Sequence, residues 1–447
     1  MSKGNAITRR NFVKTAAAIA AGGPTILASC ARGPAIKPVK KFAANERITM
    51  GVIGCGIQSR HLINRFIASR DAQIVAVCDV DQTRREAAAK GIDDRQSKQA
   101  AAGTYKGCAV YGDFRKVLDR GDIDAVIIAA PDHWHAILVI ETCKAGKDIY
   151  CEKPLSLTVH EAREMIRAVR KYNRVFQTGS MQRSSEEFHK ACTLVQNGRI
   201  GKVQHVVVNI GGTSKPCDLP EQPIPDGMNW DWWIGPTPSR GYHEELAPQG
   251  ATYSVYPHWR NYREFSGGMM TDWGAHHFDI AQWGLGMDKS GPVEIIPPKG
   301  EQGRPAYQPL TYKYANGVVM ERNDQYKGEK SRGARFIGSD GWIEVDRGYF
   351  KAVPEDLAKD PWSGKIKLYE SRDHYGDFLN SMRTRKPPIC DVEIGASSVI
   401  VCHIGNIAWW TGQTLKWDPA KERFIGNAEA NNWLDRKRRD PWQLPKV

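Results

Sequence analysis

The chain has 447 residues, 41% hydrophobic and 25% charged, an ordinary globular composition long enough for two domains with separate cores. Its formal charge is +13, but four basic residues (Lys3, Arg9, Arg10, Lys14) lie in an acid-free N-terminal segment, and the densest basic run, "DRKRRD", is short and flanked by acids. No nucleic-acid motif accompanies that charge, which argues against nucleic-acid binding and for a mildly basic surface. The ten cysteines are scattered without a C-x-x-C or metal-finger spacing, so neither a disulfide framework nor a metal site is expected. Cys55, Cys78 and Cys151 fall in or beside predicted strands, where a free thiol acts as a small apolar residue.

Residues 1–29 read as an address. Thr8-Arg9-Arg10-x-Phe12-Val13-Lys14 precedes a weakly apolar, Ala- and Gly-rich stretch interrupted by Gly22, Gly23 and Pro24. That stretch is too broken to span a bilayer, and the order of charge then apolarity resembles a twin-arginine export signal. "LASC" at 27–30 resembles a lipobox. It implies cleavage before Cys30 and a lipid anchor there, with ordinary signal-peptidase cleavage as the rival. Residues 30–46 are then a tether, and the expected location is the periplasm.

The segment "ERITMGVIGCGIQSRHLINRFI" predicts a strand over 48–53, a glycine turn and a helix. Gly54 and Gly56 stand where a tight turn and a close backbone approach to pyrophosphate are required, with Ile57 and Gln58 opening the helix whose free N–H groups bind phosphate. The third fingerprint position is Ser59 instead of Gly. A second strand ends at Asp79, placed to bond ribose hydroxyls and to repel a 2′-phosphate. NAD is therefore favoured over NADP, although Arg84 and Arg85 follow closely.

Further strands alternate with helices and end at Pro131 and at Glu152-Lys153-Pro154, predicting a doubly wound parallel sheet, a Rossmann domain over 47–178. Asp132, His133, His135, Glu152, Lys153 and Gln182 fall at or just after strand ends, where such sheets bind ligands. Pro131, His135, Glu152 and Lys153 are assigned to the cofactor side. Beyond it, "GGMMTDWGAHHFDIAQW" reads as one apolar helix carrying Asp272, His276 and His277. Spacing of four puts Asp272 and His276 on one face. "MNWDWWIGPTPSRGYHEEL" and "YSVYPHWRNYREF" set Trp230, Trp232, Trp233, Tyr242, Tyr256, Trp259 and Tyr262 among polar groups, a composition suited to a sugar as well as to aromatic packing. "GMNWDWWIGP" reads as a loop lining the cleft.

With "GVIGCG", "EKPLSLTVHEA", "TDWGAHHFDIAQWGLG" and the terminal "RKPPICDVEIGASSVIVCHIGNIA", the chain resembles the Gfo/Idh/MocA oxidoreductases, in a branch rich in exported members. The resemblance covers everything after the tether. It implies a second α+β domain over 179–447, with a large, mostly antiparallel sheet that often mediates homo-oligomer formation, and an active site between the domains. It matches Lys153 to the E-K-P lysine, and Asp272 and His276 to the D-x-x-x-H pair. The expected reaction is oxidation of a secondary alcohol of a sugar or glycoside. His276 acts as base, Lys153 as electrostatic partner, and Asp272 as orienting group or substrate ligand. Gln182, Arg183, His258, Arg260 and His277 are the expected substrate contacts. Two alternatives stand beside this one. One is an NAD-using glycosidase, lyase or epimerase working by transient oxidation, a branch that usually lacks the lysine kept here as Lys153. The other is a non-catalytic carbohydrate-binding protein.

Overall fold

Strand β1 (Ile48–Ile53) is buried at five of its six positions and β2 (Ala72–Cys78) at all seven, as a sheet covered on both faces requires. With β3 (Ala109–Tyr111), β4 (Ala125–Ile128), β5 (Asp148–Cys151) and β6 (Phe176–Thr178) they form a parallel sheet in the order β3-β2-β1-β4-β5-β6. Chain direction along the sheet reverses between β1 and β4, which opens a crevice at their carboxyl ends. The computed structural model describes residues 40, 42, 46–251, 256–300, 308–323, 333–361 and 364–447. The export signal, Cys30 and most of the tether lie outside the described residues.

The covering helices are α1 (Ile57–Ala68), α2 (Gln82–Arg95), α3 (Ser97–Ala101), α4 (Phe114–Leu118), α5 (His135–Lys144) and α6 (Val159–Lys171). The sequence starts α6 with a reciprocal cap. Thr158 Oγ1 accepts from Glu161 N at 3.1 Å, and Glu161 Oε2 accepts from Leu157 N at 3.0 Å. Cys55, Cys78 and Cys151 are buried free thiols.

The second domain begins with α7 (Glu186–Gln196) and β7 (Val203–Asn209), followed by an excursion that holds the short α8 (Trp230–Ile234). Next come α9 (Met269–Asp272), α10 (Gly274–Gly284), and the strands β8 (Glu294–Ile296), β9 (Leu310–Lys313), β10 (Val319–Arg322), β11 (Gly333–Gly338), β12 (Trp342–Asp346) and β13 (Tyr349–Val353). Helices α11 (His374–Thr384) and α12 (Val392–Thr411), strands β14 (Leu415–Asp418) and β15 (Arg423–Phe424), and α13 (Ala428–Asn432) complete the chain. Among the described residues the second sheet has nine strands, in the order β13-β12-β11-β7-β10-β9-β8-β14-β15. It is antiparallel except for β7 beside β10.

Helix α12 joins the two cores. Val392, Ala396 and Val399 pack with the first sheet, whereas Ile400, Ile404 and Ile407 pack with the second. It is long and apolar enough to cross a membrane, but most of it is buried inside the protein. Two local expectations fail. The "WDWWI" stretch is a helical turn, because Asn229 Oδ1 caps it by accepting from Trp232 N at 3.1 Å. The single helix expected over 267–283 is α9 and α10, divided at Trp273.

Candidate active site

The crevice at the carboxyl ends of β1 and β4 opens into a cleft of about 520 Å³ shared by both domains. Its floor is the glycine turn. Gly54 has φ +90°, and a Cβ there would lie 2.6 Å from backbone atoms of Ala129 and Ala130, so only glycine fits. Gly56 is the N-cap of α1 and supplies no side-chain cap, which leaves the first amides of the helix for an anion. Ser59, at the third fingerprint position, is fully buried, and its Oγ donates to Gly56 O at 2.8 Å.

Asp79 lines the same cleft. Its Oδ2 accepts from Cys55 N at 2.6 Å and its Oδ1 from Asp81 N at 2.9 Å, which fixes the carboxylate beside the glycine turn. The neighbouring arginines are turned to other work. Arg84 pairs with Asp81 and donates to Pro248 O, and Arg85 Nη1 donates to Asp79 O at 3.0 Å. An uncapped helix start, a turn open to close approach and an anchored carboxylate fit NAD. Gly54, Gly56, Ile57, Gln58, Asp79, Pro131, Glu152 and Lys153 all line the cleft. Glu152 Oε1 is held by Gln58 Nε2 at 2.9 Å.

At the other end the two domains exchange charges. Lys153, on the turn after β5, donates from Nζ to Asp272 Oδ1 at 2.7 Å and to Asp272 O at 3.1 Å. Arg260 Nε lies 3.4 Å from the same carboxylate oxygen. Burial pushes the Asp272 carboxyl up, but Lys153 and Arg260 outweigh it and hold it below the usual carboxylate range. Gly268 lets the chain enter α9. It has φ +76°, and a Cβ there would lie 2.5 Å from Ser214 N.

His276 lines the cleft while being only 4% exposed. Burial, then the charges of Lys153 and Arg347, push its pKa well below 6.5, so the imidazole is neutral at neutral pH. Asp132 is also on the cleft wall, with Oδ2 accepting from Ser266 Oγ at 2.6 Å. Burial raises its carboxyl to about 7 against the opposing pull of Ser266 and Arg260.

Four expected contacts lie elsewhere. His135 is 1% exposed and off the cleft; its Nδ1 and Nε2 meet Pro154 O and Ala130 O, each at 2.9 Å. It staples the ends of β4 and β5 and so positions the Lys153 turn. Arg183 is locked in a buried ion cluster, with Nη2 2.8 Å from Asp279 Oδ1 and 2.6 Å from Asp288 Oδ1. His277 is fully buried and stacks on Trp273 with ring centroids 5.7 Å apart and planes 10° apart. Gln182 is buried behind the cleft. With its amide turned to suit its neighbours, it donates to His276 O at 3.0 Å and accepts from Arg347 Nε at 3.3 Å.

His258 and Arg260 do line the cleft, as do Trp232, Trp233, Tyr256 and Trp259. Trp230, Tyr242 and Tyr262 do not; they belong to an aromatic core beneath the cleft roof, where Trp230 stacks on Trp233 at 4.7 Å. The Arg260 guanidinium lies 4.2 Å above the Trp259 ring and 4.8 Å above Tyr256, occupying one face of each. The one-face relation expected of Asp272 and His276 is replaced by the break at Trp273: Asp272 orients Lys153. Arg347, on the turn between β12 and β13, lines the cleft unannounced by any motif. Among the described residues no three His, Cys, Asp or Glu converge as metal ligands.

Residues 48–180 match a Gfo/Idh/MocA model described as "Oxidoreductase family, NAD-binding Rossmann fold", and residues 185–444 match its companion, "Oxidoreductase family, C-terminal alpha/beta domain". A glycosyl hydrolase family 109 protein of Shewanella sp. (strain MR-4) is 27% identical over 214 residues, 46% of this chain and 42% of that protein. The chain thus matches about two fifths of the length of such relatives. An aldose-aldose oxidoreductase from Caulobacter crescentus, complexed with glycerol, superposes with TM-score 0.56 at 18% identity, covering 83% of this chain and 100% of that one. The WlbA dehydrogenase from Chromobacterium violaceum, in complex with NADH and UDP-GlcNAcA, gives TM-score 0.60 at 18% identity, with 85% and 99% covered. At these identities the solved structures share the fold. With a matched model over each domain, this chain belongs to the Gfo/Idh/MocA oxidoreductase family, and its first domain is an NAD-binding Rossmann domain.

Proposed function

We propose that the protein is an exported oxidoreductase that oxidises a secondary alcohol of a sugar or glycoside at the expense of tightly held NAD. The observation that carries this reading is the 2.7 Å contact of Lys153 with Asp272 across the domains, in the cleft that also holds His276 and the glycine turn. When bound, NAD supplies the hydride acceptor. The rest is work for this chain's side chains. Asp272 aims Lys153 through the 2.7 Å contact, so that its N–H groups can stabilise an oxygen losing its proton. His276 presents a neutral imidazole as the proton acceptor. Trp259, Tyr256 and Arg260 provide flat and polar surface for a pyranose. The sugar-acting neighbours in fold support the substrate class. Export rests on the twin-arginine pattern at 8–14, with lipidation at Cys30 as its extension.

A second reading is favoured by the similarity to glycosyl hydrolase family 109 proteins. In it a hydride is transferred transiently to NAD, acidifying a neighbouring C–H for the same residues to deprotonate; the glycosidic bond is eliminated, water adds to the double bond, and the hydride is returned, so the redox state is unchanged. Product analysis separates the two. Incubation with a panel of glycosides should give a keto-sugar, detected by mass spectrometry. Release of free sugar without net oxidation would replace the first reading by the second. No product from any glycoside would remove both and leave the carbohydrate-binding protein.

A further inference from the structure

The basic run "DRKRRD" at 435–440 is engaged with the rest of the protein. Arg436 Nε donates to Glu161 Oε1 at 2.9 Å and its Nη2 to His133 O at 2.9 Å. Arg438 Nη2 donates to the same Glu161 oxygen at 3.0 Å and to Asp435 Oδ1 at 2.7 Å. Glu161 is 1% exposed, and burial would push its carboxyl up; the two guanidinium groups outweigh this and hold it below the usual range. These contacts seat the tail on the first domain.

The next residue reaches for the roof of the cleft. Arg439 Nη1 donates to Asp231 Oδ1 at 2.7 Å, its Nη2 to Asp231 O at 2.9 Å and its Nε to Gly235 O at 3.1 Å. Its own N–H donates to Pro236 O at 3.1 Å. Trp442, 8% exposed, then lies edge-on between Trp134 of the first domain and Trp232 of the roof, with centroids 4.9 Å from each. One short tail therefore grips both sides.

The roof itself closes over the cofactor end. Gln82 N donates to Gly227 O at 3.0 Å and Asn229 N donates to Val80 O at 3.0 Å, so the roof adds an antiparallel bridge to the loop that carries Asp79. Trp233 O accepts from Trp134 Nε1 at 3.1 Å, and Tyr256 donates to Gln58 Oε1 at 3.1 Å. Trp232 and Trp233 line the same cleft as Gly54 and Asp79.

We infer that residues 436–442 are a latch, a positioning segment that holds the roof of residues 227–236 shut and sets the lifetime of the bound dinucleotide. This rests on the assignment of the cleft to NAD. The test uses the full-length protein with NADH as probe. NADH is bound, then displaced by excess NAD, and its fluorescence gives the release rate for proteins with unchanged far-UV circular dichroism. Arg439→Ala and Asp231→Ala cut the tie from its two sides, and Trp442→Ala removes the aromatic wedge. Lys437→Ala removes the same charge from an exposed neighbour and serves as control. Release should quicken about tenfold or more in the first three and stay unchanged in the control. Equal release rates in wild type and the latch variants, even with lowered melting temperature, would make the tail a stabilising strap only and overturn the latch. Equal acceleration by Lys437→Ala would overturn it in favour of a general charge effect. Failure of wild type to bind NADH would instead overturn the NAD assignment, and the latch with it.

Discussion

Asp272 shows how one carboxylate sets a site. It binds Lys153 at 2.7 Å and Arg260 at 3.4 Å, and its direct partners do not include the imidazole of His276. Asp272→Asn should leave NADH affinity unchanged and lower kcat by about ten- to a hundredfold, the loss expected when a charge-assisted hydrogen bond no longer aims the cation proposed to act on the substrate oxygen. Steady-state kinetics beside an NADH titration checks the split. Asp132 makes a second prediction. Its carboxyl titrates at about 7, so rising pH adds a negative charge to a wall that also holds Lys153 and Arg260. The oxidised nicotinamide is cationic and the reduced one neutral. The preference for NAD over NADH should therefore rise as pH passes about 7 and be flat in Asp132→Asn, measured by titrating both forms across that range. Some of this was legible from residue types and some was not. Lys153 and His276 carry motifs. His277 sits beside His276 in sequence, yet one helical step turns it into the Trp273 stack, which no motif announces. Arg183 looked like a ligand because its partners Asp279 and Asp288 lie 96 and 105 residues away. Arg347 arrives on a hairpin turn that only the second sheet's closure brings to the cleft.

At the scale of elements, local pattern sufficed where the element is locally determined. The apolar runs of β1, β2 and β4, the glycine turn and the Thr158–Glu161 cap all follow from residues within a few positions of one another. Gly54 gives this its sharpest test. A Cβ there meets strand-end backbone at 2.6 Å in a φ +90° conformation. Gly54→Ala should abolish NADH binding and cost at least about 2 kcal/mol of stability, read by fluorescence titration and urea unfolding. Where tertiary contacts decide, pattern falls short. The break at Trp273 and the helical turn at Trp230–Ile234 occur inside stretches whose composition suits a continuous helix and a loop respectively. The division of the long α12 between two cores follows from the chain's return to the first sheet.

For the molecule as a whole, burial of neutral imidazoles ties stability to pH. Burial pushes His403 down to about 4, and Nε2 lies 3.1 Å from Ser156 O. The unfolded chain gains that proton near 6.5 and the folded one only near 4, so the unfolded state binds more protons in between and stability falls as pH drops through this window. His403→Gln removes this contribution. Urea unfolding should show the stability difference between pH 7 and pH 5 shrinking by about 2 kcal/mol relative to wild type. The same two-domain closure that buries these groups brings Lys153 and His276 to one cleft, and single-turnover reduction of bound NAD tests that arrangement most directly. With a sugar or glycoside that the wild type oxidises, the absorbance of reduced nicotinamide should rise in wild type. In Lys153→Ala and His276→Ala, compared with wild type at saturating NAD, its rate should fall by about a hundredfold or more. Reduction at the wild-type rate in both variants would contradict the account.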